Sequence, residues 1–85
     1  MARMTRLAAD GKTVALAGAS VEEAIRRLAA FEDLHDALLA ERDSIAATLD
    51  ALRAEGKQNT VRFKSLLAQK LQNQSTLVLF EVRGL

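Results

Sequence analysis

Arg62, Phe63 and Lys64 are consecutive. On a helix, successive side chains turn by about 100°, so the aromatic can face inward with a cation on either side. Asn73 and Arg83 lie further along the same stretch, with Lys57 and Lys70 nearby in sequence. Guanidinium and ammonium groups match phosphate oxygens well, and an aromatic beside them could stack on a nucleobase. Arg62, Phe63, Lys64, Asn73 and Arg83 are therefore the candidate ligand-binding residues. The expected ligand is a phosphate-bearing small molecule, such as a cyclic nucleotide or an ADP-ribose derivative. The plainer alternative is that these cations snorkel around a core or pair with acidic residues elsewhere in the chain.

Glu32 and His35 form one Glu-x-x-His unit. In di-metal four-helix bundles two such units join two further glutamates, all pointing inward. No second inward acid accompanies this one, and Asp36 belongs with a solvated acidic face, so no metal site is expected. The absence of cysteine removes thiolate catalysis and every cysteine-based zinc site. A single histidine leaves no Ser-His-acid arrangement. Gly11, Gly18, Gly56 and Gly84 are too scattered for a phosphate-binding loop. The expectation is a protein that is not an enzyme and carries no cofactor.

The elements that would position these residues are mostly helical. Ser20-Val21-Glu22-Glu23 has the pattern of a capping box. No Gly or Pro follows until Gly56, a natural residue to end a helix. A long helix over 20–55 is predicted, with a seven-residue apolar repeat. Ala24, Phe31, Leu38, Ile45 and Leu52 form one series, and Val21, Leu28, His35, Arg42 and Leu49 the other. His35 and Arg42 would make a polar layer, either lining a ligand pocket or fixing register and oligomer state. Leu28, Phe31, His35, Leu38, Arg42, Ile45, Leu49 and Leu52 are the expected oligomer interface. Ile25, Leu34, Leu39 and Ala46 widen the stripe beyond a two-stranded seam, which points to a bundle.

After Gly56, Asn59 or Thr60 could cap a second, basic helix over 59–83, although Thr76–Phe80 also has strand propensity. The short connection implies an antiparallel helix hairpin. At the other end, Asp10-Gly11 predicts a type I′ turn in a β-hairpin arm over 1–19. Such a hairpin is marginal alone and needs support from the helices or from a neighbouring copy. The fold class expected is mainly α: a long amphipathic helix plus an antiparallel second helix, with a small N-terminal β-hairpin, in one domain over 1–85.

Eighty-five residues without disulfides make a small domain, for which partner chains are a common source of stability. Charge is unevenly spread. Residues 20–56 hold nine acids against four arginines, whereas residues 57–85 hold five cations against one acid. Acidic and basic regions of this kind attract one another within or between chains. No stretch has the ~20 apolar residues of a membrane span and none reads as a signal peptide, so the expected location is cytoplasmic with no membrane partner. Nucleic acid is not the expected partner either, since no helix-turn-helix, zinc-finger or aromatic RNA-binding pattern is present.

Leu28-Ala29-Ala30-Phe31-Glu32-Asp33, the block from Arg62 to Leu71 and the ending from Phe80 to Leu85 resemble small helical proteins of bacterial prophages and mobile elements, frequent in gut Firmicutes. That resemblance implies a phage-encoded protein of the host bacterial cytoplasm. By analogy of type it implies an anti-defence role, sequestering a nucleotide signal at subunit interfaces of a homo-oligomer. The alternatives are an inhibitor or adaptor docking on a host defence protein through a helical coiled-coil surface, or a coiled-coil regulator that contacts DNA through its basic ends.

Overall fold

A computed structural model describes residues 3–85. The elements run β1 (Thr5–Leu7), β2 (Val14–Leu16), α1 (Val21–Ala54) and α2 (Val61–Glu81). The expected class therefore holds: two helices packed on each other, with a two-stranded antiparallel hairpin before them. Residues 1 and 2 of the expected 1–19 arm lie outside the described residues. The chain divides into two compact units, Met1–Asp33 and Leu34–Leu85.

In the first unit, Thr5 pairs with Leu16, Arg6 with Ala15 and Leu7 with Val14. The ladder extends to Ala17 N–H on the Met4 carbonyl at 2.9 Å. The turn is not the expected type I′, because among the described residues no residue other than glycine has positive φ. Side-chain chemistry takes its place. The Asp10 carboxylate accepts from the Lys12 N–H at 2.9 Å, from the Thr13 N–H at 2.8 Å and from the Thr13 hydroxyl. An aspartate that caps two N–H groups holds a longer loop closed without needing φ > 0 itself. Within this loop, Gly11 takes the left-handed conformation, at φ 71°. The three hydrogen bonds, the Thr13 hydroxyl foremost, lower the Asp10 pKa from 3.8 to about 2.

α1 starts with the Ser20 hydroxyl accepting from the Glu23 N–H at 3.1 Å, one of the two bonds of a capping box, and with two glutamates in the first turn. Its end in the second unit is a Schellman motif. Lys57 N–H reaches the Leu52 carbonyl at 2.8 Å and Gly56 N–H the Arg53 carbonyl at 3.0 Å. That geometry puts Gly56 at φ 72°, where any Cβ would be strained. Thr60 rather than Asn59 caps α2, its Oγ1 accepting from Phe63 N–H at 3.2 Å. The segment Thr76–Phe80 is helical, which decides the open alternative against a strand. The same pair of bonds closes α2, from Leu85 N–H to the Phe80 carbonyl and from Gly84 N–H to the Glu81 carbonyl.

The core of the second unit lies between its two helical segments. Ile45, Leu49, Leu52 and Phe63 form the buried cluster, with Leu66 and Leu67 packed against it. Leu77 and Phe80 are also buried. The pairs Leu38–Asn73 and His35–Phe80 run in opposite order along the two helices, so the hairpin is antiparallel.

Candidate functional site

The five candidate ligand residues do not converge. Arg62 and Lys64 flank Phe63 as expected and are exposed, but the Phe63 ring is buried in the core. The Arg53 guanidinium lies 5.2 Å above that ring, so no nucleobase can stack on it. Asn73 is only 4% exposed and is committed to the core, its Nδ2 donating to the Leu38 carbonyl at 3.0 Å. Arg83 lies beyond the end of α2, 21 residues after Arg62, which at 1.5 Å per residue is roughly 30 Å along the helix. One small ligand cannot span that within a single chain.

The expected interface also divides. Ile45, Leu49 and Leu52 are covered by α2 within the chain, so these three positions form the intrachain core rather than an oligomer seam. Leu38 is half-buried beside Asn73. Arg42 is exposed and pairs with its neighbour Asp43 at 3.0 Å, so no buried polar layer forms there. His35 is half-buried and stacks on Phe80, with ring centroids 4.9 Å apart and planes 10° from parallel. The expected companion of His35 was another chain; its observed companion is the far end of α2. Among the described residues, no three His, Asp or Glu side chains are placed to share a metal ion.

What remains open is the N-terminal part of the repeat. In the first unit Val21 is 60% exposed, Ile25 61% and Leu28 58%. At 100° per residue these fall within a band of about 60° on α1. The hairpin beside them is uncovered too. Pairing puts Leu7, Val14 and Leu16 on one face of the two-stranded sheet, and all three are exposed. That face was not singled out from the sequence. The alternation of Thr13–Leu16 signalled a strand, but a period of two does not say whether its apolar side meets the same chain.

A second apolar strip runs along the outside of α2. Leu71, Val78 and Val82 are exposed and share one side, away from the side carrying Phe63, Asn73 and Leu77. On the opposite flank Leu38, Glu41, Gln69, Gln72, Asn73 and Thr76 line a shallow polar groove of about 200 Å³. In the first unit, two adjoining grooves are lined by Arg3, Met4, Thr5 and Arg27 and by Met4, Glu23, Arg26, Arg27 and Ala30. No helix among the described residues is long and apolar enough to cross a membrane.

Comparison of the chain with protein-family models, with curated proteins and with solved structures yields no match.

Proposed function

We propose that this is a non-catalytic protein–protein binding module that assembles on itself through its first unit. The observation that carries the reading is the uncovered apolar surface there: Leu7, Val14 and Leu16 on the hairpin, and Val21, Ile25 and Leu28 on α1. Apolar surface of this extent is stabilised by removing it from water and marks interaction sites on small proteins. Among the described residues only six apolar side chains are buried, a small core that a partner chain would supplement.

The heptad pattern favours a second copy as the first partner. Val21, Ala24 and Leu28 continue the same repeat that Ile45, Leu49 and Leu52 use to hold α2. An in-register stripe of that kind is built for another helix.

The test is native mass measurement of the purified protein with and without Leu28→Glu. The reading requires an oligomer that the substitution dissociates. A monomer at tens of micromolar would remove it. Antagonism of host defence rests on the resemblance to prophage proteins alone. Its own test is whether expression of the chain restores phage plating on a defence-bearing host.

A further inference from the structure

The outer side of α2 carries a second repeat, which packing within the chain leaves unused. Lys64, Ala68, Leu71, Ser75, Val78 and Val82 follow one another at alternating steps of four and three residues, and all of them are exposed. That alternation is the spacing of a coiled-coil seam. It runs on the side of α2 away from Phe63, Asn73 and Leu77, which are buried. The Ser75 hydroxyl donates to the Leu71 carbonyl at 3.0 Å, so covering the middle of the seam strands no polar hydrogen there.

The order of residues along the seam selects its occupant. Two copies of α2 packed antiparallel about the level of Asn73 set Leu71 against Ser75 of the partner subunit. The same register sets Val78 against the partner's Ala68. Large side chains then meet small ones, as a close-packed seam requires. Lys64 comes beside the partner's Glu81, and two-fold symmetry makes that pair twice. Within one helix Lys64 and Glu81 are 17 residues apart, roughly 25 Å at 1.5 Å per residue. Neither belongs to an ion pair among the described residues. Parallel packing would instead stack Lys64 on the partner's Lys64 and leave small residues facing small ones across a gap.

We propose that α2 is a second self-association surface, on which the outer faces of two copies pack antiparallel. A seam this short, with a lysine and a serine in it, is marginal as a free-standing pair. The contact therefore rests on the assembly through the first unit, which holds copies at high effective concentration.

The chain has no cysteine, so introduced thiols report position without background. The experiment mixes full-length Lys64→Cys and Val82→Cys, oxidises the mixture at tens of micromolar, and reads disulfide-linked dimers on a non-reducing gel. The antiparallel seam brings these two positions together across copies. It holds each about 27 Å from its own counterpart, far beyond disulfide reach. The mixture should therefore link and each variant alone should not. Adding Leu28→Glu to both should lower the link about tenfold or more, with helix content in circular dichroism unchanged. Lys64→Cys linking to itself as readily as to Val82→Cys would overturn the antiparallel seam. An unmodified chain that is oligomeric by native mass, with no link in the mixture, would overturn the α2 contact and leave assembly through the first unit standing. An unmodified chain that is monomeric would overturn both. A link that persists undiminished with Leu28→Glu would overturn the dependence on the first unit.

Discussion

The side-chain amide of Asn73 donates to the main-chain carbonyl of Leu38 at 3.0 Å, joining the middle of α2 to the middle of α1. This is a polar contact at the edge of an apolar seam, where Leu38 and Asn73 also line a polar groove. The Asn73 Oδ1 is buried with no hydrogen-bond partner. One bond made and one acceptor left over is a poor exchange for stability, but it sets which carbonyl α2 sits beside.

Replacing Asn73 with Leu removes the leftover acceptor together with the bond. The expected result is unchanged or slightly greater stability, within about 1 kcal/mol. Asn73→Asp should do the opposite, costing about 2–4 kcal/mol, because a carboxylate cannot donate to the Leu38 carbonyl and is costly to bury. Urea unfolding of the two variants measures both.

Leu49 is 1% exposed, the most completely buried large side chain among the described residues. Leu49→Ala should destabilise by about 2–5 kcal/mol. Val61→Ala, at a position 85% exposed, should stay within about 0.5 kcal/mol. Calorimetric unfolding of the pair checks that the core lies where α1 and α2 of the second unit meet.

Gly56 ends α1 at φ 72°, with open space where a Cβ would go. Gly56→Ala should therefore cost about 1 kcal/mol from backbone strain alone, with no steric clash. Thr60→Ala should cost a similar ~1 kcal/mol by removing the cap on Phe63 N–H. Thermal unfolding should show both losses, near-additive only if the two ends of the connection act independently.

Asp10 titrates at about 2 in the folded chain against an ordinary 3.8, chiefly because the Thr13 hydroxyl and N–H bond its ionised form. A lowered carboxylate pKa contributes stability above the ordinary value, and loses it as pH falls through the folded value. The hairpin loop should hold from neutrality to about pH 4 and loosen between there and pH 2. The carboxyl carbon shift of Asp10 and the amide shift of Thr13 should move together with a midpoint near 2. A midpoint near 4 would mean the loop bonds are absent in solution.

Much of this fold was legible from residue pattern because its signals are local. The Ser20 cap, the Gly56 terminus and the Thr60 cap each depend on a few neighbouring residues. The turn misled because Asp10-Gly11 is compatible with two solutions, and the Asp10 side chain, rather than its backbone, closes the loop. The heptad repeat identified apolar positions on α1 without saying which helix would cover them. Ile45, Leu49 and Leu52 went to α2, while Val21, Ile25 and Leu28 stayed exposed. Phe63 and Asn73 were read as ligand contacts because polar and aromatic types suggest recognition, but the spacing that put Phe63 inward also removed it from any surface. That Arg3 and Arg27 line one groove was not legible, since the two are 24 residues apart in sequence. Only the packing of the hairpin beside α1 brings them to one groove.

The central claim is that the first unit supplies the surface for self-association. Native mass spectrometry at tens of micromolar, on the unmodified chain and on Leu28→Glu, tests it most directly. The account predicts an oligomer for the unmodified chain and a monomer for the variant, with helix content in circular dichroism retained. An unmodified chain that is monomeric, or a variant that keeps the full assembly, would contradict it.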